Sequence, residues 1–323
     1  MDLAEFLPES LRRADLQVRP ISAGMSGAGV YRVDTAGETF LLKVASVDIP
    51  VAGWRAALEL QRSAAGSGVA PRVLHVDEAR RAVVSDFVTD RSFPMLYGTP
   101  ETRGEAIALL ARTVRTLHAL PRPAALPARD GVAFLAEIWS TLPPGFVPAF
   151  AAELVADVLA RGAPDTGCAP VVSHNDLNPG NIAYDGERLL LLDWDTAGVN
   201  DPMHDLATTA VFMRMDPATC RQLLGEYRGH PVEWLPAGFV DTRRLVATMC
   251  GTNFLSLARR AGHPAASAAD TRETALTLAE FYTRLRTGEL QLTGAEGQWQ
   301  FGLALLASAA DPAWDATSRY SPS

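Results

Sequence analysis

Cysteine is scarce in this sequence of 323 residues: Cys168, Cys220 and Cys250 stand far apart, odd in number and without a CxxC pair. A disulfide framework is therefore not expected, and a reducing, intracellular setting is the simplest reading. Long apolar runs are also missing, since no segment approaches the ~20 residues of a membrane span. The opening MDLAEFLPESLRRADLQ is acidic and broken by Pro8, without the basic start and apolar core of a secretory signal. These features together predict a cytoplasmic protein with no membrane partner. Basic residues are outnumbered, 29 Lys plus Arg against 37 Asp plus Glu, and the net charge of −8 argues against nucleic acid as a partner. Repeats and low-complexity tracts are absent. What remains, 48% hydrophobic and 20% charged residues, is the composition of a globular chain with one large or two ordinary domains.

The pattern along the chain changes near residue 88. Val30 to Asp34 and Thr39 to Ala45 read as two strands joined by the turn TAG, and the glycine-rich SAGMSGAG precedes them. A helix is expected from Trp54 to Ala65, followed by strands in RVLHV and AVVSDFV. Beyond this, Ile107, Leu110, Val114 and Leu117 share one helical face, and helical patterns recur over 148–161, 203–228, 241–262 and 270–287. The expectation is an α+β chain: a small antiparallel sheet lobe over 1–88, a mainly helical lobe over 89–323, and DFVTDRS as the hinge.

The densest polar cluster is SHNDLNPGN, residues 173–181, directly after the apolar PVV. Ile182 to Tyr184 and Leu189 to Leu192 then read as a hairpin that delivers Asp193 at its far end. Asp176, Asn181 and Asp193 would converge there as hard oxygen donors, a set suited to Mg²⁺ with bound phosphates rather than to zinc or copper. His174 lacks a second His or Cys nearby and reads as a loop brace. Upstream, glycines let backbone N–H groups approach an anion and Lys43 supplies a mobile positive charge. Taken singly, the glycine turn, Lys43 and Glu59 also have ordinary readings as a turn, a strand end and a solvated helix face.

The order H-x-D-x-x-x-x-N followed by a second Asp resembles the protein-kinase catalytic core. Over most of the chain, GMSGAGVYRV, LLKVA, VAPRVLHVD, VRTLHAL, HNDLNPGNI and LLLLDWDTAGVNDPMHDLA are similar to the aminoglycoside phosphotransferase and choline kinase superfamily, and most to its bacterial choline or ethanolamine kinases. The resemblance implies a protein-kinase-like two-lobe fold and ATP-dependent transfer of a phosphoryl group to a hydroxyl of a small molecule. Asp176 would orient the hydroxyl and accept its proton, Asn181 and Asp193 would bind Mg²⁺, and Lys43 would hold the ATP phosphates while paired with Glu59. Gly24, Ser26 and Gly27 would cover the phosphates. Backbone groups around Asp86 to Val88 would meet adenine, and Asp205 would brace the catalytic loop.

The chain departs from the choline kinase pattern at Asp195, where Glu is usual, at Thr196, where Tyr is usual, and at Phe212, where a later Glu is usual. Asp195 is expected near the acceptor, countering the charge of a cationic amino alcohol such as choline or ethanolamine. Trp299, Trp314 and Tyr320 are either aromatic walls for such a cation or ordinary core. An aminoglycoside or another hydroxyl metabolite is the alternative acceptor, and a nucleotide-binding pseudokinase is the alternative of another class. The segment from Asp193 to the DLA helix is too short to dock a peptide, which disfavours a protein substrate. Oligomeric state is not legible.

Overall fold

The computed structural model describes residues 3–21, 29–314 and 318–319. Gly24, Ser26 and Gly27 of the glycine-rich stretch, and Tyr320, lie outside the described residues. The chain forms two compact units, Met1–Ala128 with Val171–Val199, and Arg129–Pro170 with Asn200–Ser323.

In the first unit, strands β1 (Gln17–Pro20), β2 (Gly29–Thr35), β3 (Glu38–Val44), β4 (Val73–Asp77) and β5 (Ala82–Asp86) form one antiparallel sheet in the order β1-β2-β3-β5-β4. Alternation along β3 sends Phe40 and Leu42 to one face, where they pack with Phe6, Leu7, Val33, Ala82 and Val84. The opposite face carries Val83 and Ala45 against Trp54 and Leu58 of helix α1 (Val51–Gly66). Burying each large apolar side chain stabilises the sheet by roughly 1.5–3 kcal/mol. Lys43 lies between Leu42 and Val44 in sequence, so the same alternation turns it toward α1.

The unit continues through α2 (Phe93–Gly98) and α3 (Pro100–His118). After a long excursion into the other unit the chain returns with β6 (Val171–Ser173), the hairpin β7 (Ile182–Tyr184) and β8 (Leu189–Leu191), and β9 (Gly198–Asn200). β6 pairs with β9, and β7 with β8 in the register Ile182 to Leu191. The first compact unit thus takes in segments beyond the sheet, up to Ala128 and again from Val171 to Val199. The physical reason is packing: α3 lies against β6 and β8, and Leu191 N–H donates to the Val69 carbonyl at 2.9 Å.

The second unit is helical: α4 (Gly131–Ser140), α5 (Ala149–Arg161), α6 (Pro202–Phe212), α7 (Pro217–Arg228), α8 (Ala237–Arg260), α9 (Leu278–Arg286) and α10 (Ala295–Ala309). Its short strands β10 (Leu235–Pro236) and β11 (Ser318–Arg319) pair in parallel. α8 and α10 approach backbone to backbone at Gly251 and Gly302, where a Cβ on either would stand 2.9 Å from the other's carbonyl oxygen. The helical run expected over 203–228 divides in two because Asp216 caps a new helix, accepting from Thr219 N–H, with Pro217 at its first turn. The run expected over 270–287 is helical only from Leu278, where Thr277 and Glu280 form a capping box. Among the described residues no helix is long and apolar enough to cross a membrane.

Candidate active site

The catalytic loop is braced from below by His174, which is fully buried. Its Nε2 lies 2.8 Å from the Leu192 carbonyl and its ring 5.0 Å from that of Trp194. Thr196 Oγ1 donates to the His174 carbonyl at 2.9 Å, so the residue standing where Tyr is usual ties the loop to the hairpin. Asn175 and Asp193 both hold positive φ, 66° and 59°. Such conformations cost of order 1–3 kcal/mol and persist where surrounding contacts over-determine them.

Asp176 is gripped at both oxygens: Asn178 Nδ2 donates to Oδ1 at 2.9 Å and Asn181 Nδ2 to Oδ2 at 2.8 Å. Asn181 Nδ2 also donates to the Asp176 carbonyl at 2.9 Å, leaving its Oδ1 as the acceptor that can meet a cation. Burial raises the Asp176 pKa above the ordinary carboxylate value, with the nearby Asp193 charge adding to it, against the opposing pull of the Asn178 and Asn181 bonds and His174. A carboxylate held in place yet pushed upward suits a group that orients a hydroxyl and takes its proton.

Lys43 Nζ reaches Asp193 Oδ1 at 2.6 Å and Asp195 Oδ1 at 2.8 Å. Burial works to raise the Asp193 pKa, but the charge and hydrogen bond of Lys43 outweigh it and hold this carboxyl below the ordinary value. The three groups line a cavity of about 60 Å³ with Trp54, Ala57, Leu58 and Gln61 of α1 and Trp194. One expectation is corrected here. Glu59 is exposed, because α1 turns positions 54, 57, 58 and 61 toward Lys43 and leaves 59 on the far side. Asp195, expected near an acceptor, has its Oδ1 engaged by Lys43.

At the proposed adenine side, Asp86 ends β5. Its N–H donates to the Arg72 carbonyl at 3.0 Å and its carboxylate takes Arg72 Nε at 2.7 Å, so these two groups are engaged by the protein. Val88 follows beyond the strand, half-buried. In the second unit Asp205 is fully buried within the first turn of α6, whose N-cap is Asp201. Trp299 is buried and stacked on His263 at 4.2 Å, and the Arg243 guanidinium covers the Trp314 ring at 3.7 Å. Both tryptophans are thus core. Phe212 packs toward Phe301, with centroids 6.2 Å apart.

One signal in the sequence went unread. Lys43 is the only lysine of the chain, the remainder of the 29 Lys plus Arg being arginines. A position that keeps an ammonium where every other basic residue is a guanidinium is chemically singled out.

For a cation beside the hairpin, the donors present are the Asp193 carboxylate and the Asn181 amide oxygen, both hard oxygens of the kind Mg²⁺ takes. The described residues contain no group of three or more His, Cys, Asp or Glu able to hold a metal.

The chain is similar to known proteins. Residues 17–239 match the phosphotransferase enzyme family, APH. Protein LicA of Haemophilus influenzae is 49% identical over 35 residues, 11% of this chain and 13% of that protein, so the match spans a small part of either. The structure of choline kinase LicA from Streptococcus pneumoniae superposes with a TM-score of 0.59 at 17% identity, covering 91% of this chain and 94% of that one. An aminoglycoside-3'-phosphotransferase of type VIII gives a TM-score of 0.56 at 23% identity, covering 74% of this chain and 95% of that one. The fold is the α+β, protein-kinase-like one of these enzymes. With the family matched over most of its length, the chain belongs to the phosphotransferase enzyme family and is an ATP-dependent kinase.

Proposed function

We propose that this kinase moves the γ-phosphoryl group of ATP, with Mg²⁺, onto the hydroxyl of a small cationic alcohol of the choline or ethanolamine type. The observation that carries the transfer chemistry is the meeting of Asp176, Asn181, Asp193 and Lys43 within one compact unit. A largely dissociative phosphoryl transfer asks little covalent chemistry of the protein, so alignment and charge neutralisation supply the rate. Asp176, fixed by Asn178 and Asn181, aligns the acceptor hydroxyl and receives its proton. Asn181 and Asp193 would hold Mg²⁺, which when bound neutralises phosphate charge. Lys43 holds the α/β-phosphates, and backbone groups near Val88 meet adenine. Gly24, Ser26 and Gly27 would close over the phosphates.

The cationic acceptor is supported by the local likeness to Protein LicA of Haemophilus influenzae, a name shared by the choline kinase LicA of Streptococcus pneumoniae. Asp195 lends it no support, being engaged by Lys43, and neither do Trp299 and Trp314. The test is ADP release with choline, ethanolamine, aminoglycosides and neutral sugars, each with and without Mg²⁺. Fastest release with choline or ethanolamine is the expected result; faster phosphorylation of neutral sugars would remove the cationic part of the proposal.

A further inference from the structure

We propose that Asp195 is the positioning residue for Lys43, so that the phosphate-holding lysine is anchored by the metal hairpin rather than by a carboxylate on α1. The inference rests on the kinase reading of the site. Kinase-type sites require the strand lysine to be held by an acid, commonly one on the adjacent helix. Here α1 offers none: the residues it turns into the Lys43 cavity are Trp54, Ala57, Leu58 and Gln61, while Glu59 is exposed. The acid comes from the opposite wall, with Asp195 Oδ1 2.8 Å from Nζ and both side chains 20% exposed.

Two aspartates then divide the work. Asp193 is the residue that the Mg²⁺ reading claims, and an ammonium held by Asp193 alone would lose its partner to the metal. Asp195 gives Lys43 a second carboxylate. A compact ammonium reaches both acids from this strand position, whereas a planar guanidinium presents a different fork.

The tests use ATP and an amine-acylating reagent on the whole chain. Asp195→Asn keeps the shape and removes the charge; the dissociation constant for Mg·ATP is expected to rise about tenfold or more, as for other lost charge-assisted contacts. Asp195→Glu should restore part of this. Gln61→Glu in the Asp195→Asn background should also restore part, because it places an isosteric carboxylate on the α1 wall. In the absence of nucleotide, mass spectrometry of the single ε-amino group should show Lys43 acylated several-fold faster in Asp195→Asn, whose ammonium has lost one counter-charge, and slower in Gln61→Glu made on the parent chain.

Unchanged ATP affinity in Asp195→Asn, with a rise confined to the KM for choline, would return Asp195 to the acceptor and overturn the proposal. Equal Lys43 acylation in all variants would overturn it as well. The acylation arm needs no nucleotide, so a parent chain that bound no ATP would count against the kinase reading alone.

Discussion

Two regions bury a cation by opposite means. In the first unit Lys43 sits between the carboxylates of Asp193 and Asp195 beside a small cavity. In the second, Arg243 of α8 is 5% exposed and has neutral partners: its Nη2 donates to Ser308 Oγ at 2.8 Å, Nη1 to the Ser308 carbonyl at 3.3 Å, and its plane covers Trp314. Burial draws the Arg243 pKa down to about 10 and pushes the neighbouring Cys220 thiol up to about 12. The contrast separates a cation that clasps from a cation that works. Arg243 fastens α8 to the end of α10 through contacts that have no reason to change. On the proposed kinase reading, Lys43 stays anchored by Asp195 while Asp193 turns to the metal and the phosphates arrive.

The largest effect should come from the acid that neither cation touches. Asp176→Asn keeps the size, removes the proton acceptor and sets an NH2 donor against one of the two amide donors, so phosphoryl transfer should fall by about 10²- to 10⁴-fold while ATP binding stays near normal. Turnover and nucleotide titration measure the two separately; substantial remaining turnover would dismiss the role. The raised pKa of Asp176 adds a pH signature. Because its proton is held more tightly in the folded chain than in the unfolded one, stability contributed by this group is present at low pH and falls as pH rises from the ordinary carboxylate value through the raised one. Activity runs the other way, since the base must be ionised. The acid limb of turnover should therefore lie above the usual carboxylate range, and the Asn variant should lack it.

Lys43→Arg tests the working cation directly. Charge is kept but the compact ammonium is lost, so Mg·ATP affinity should drop by about tenfold to a hundredfold, the scale of a charged hydrogen bond worth roughly 1.5–3 kcal/mol. An arginine variant that bound ATP like the parent would mean that charge alone matters at this position, and the contrast with Arg243 would lose its chemical basis.

Arg243→Ala should act on stability rather than on nucleotide. Removing the guanidinium leaves Ser308 and the Trp314 face without their partner, at a cost of about 1–3 kcal/mol. Thermal unfolding is expected to shift downward while ATP affinity is unchanged. A change in ATP affinity without a shift in Tm would reverse the assignment of the two cations.

How much of this was legible beforehand follows from the range of the forces involved. The sheet strands, the hairpin and the Asp176, Asn181 and Asp193 set are encoded locally, by alternation, turn residues and a fixed motif, and each appears near its expected place. The short strand Gln17–Pro20 and the helices Phe93–Gly98 and Gly131–Ser140 were not foreseen; they are short elements whose patterns are too brief to stand out. The first compact unit joins segments far apart in sequence through the packing of α3 on β6 and β8. The partner of Lys43 was misassigned for the same reason. Spacing from Lys43 pointed to Glu59, whereas the choice among positions on α1 is made by its rotation against the sheet. Trp54 and Leu58 fix that rotation by burying themselves against Ala45 and Val83.

That rotation gives the smallest prediction and the one most specific to this chain. If Trp54 and Leu58 set the face of α1, then Glu59 points to solvent and its charge is screened from the Lys43 cavity by the helix itself. Glu59→Gln should leave Mg·ATP affinity within about twofold of the parent, the scatter of ordinary surface substitutions. Asp195→Asn, with the same loss of one carboxylate, should change it by an order of magnitude. The pair differs in whether the acid lines the cavity, as Asp195 does, or faces solvent, as Glu59 does, so measuring both under identical salt separates position from net charge. A matched loss in the two variants would mean that overall charge near Lys43 governs ATP binding. A loss confined to Glu59→Gln would mean that α1 turns when nucleotide binds, bringing Glu59 to the lysine and releasing Asp195.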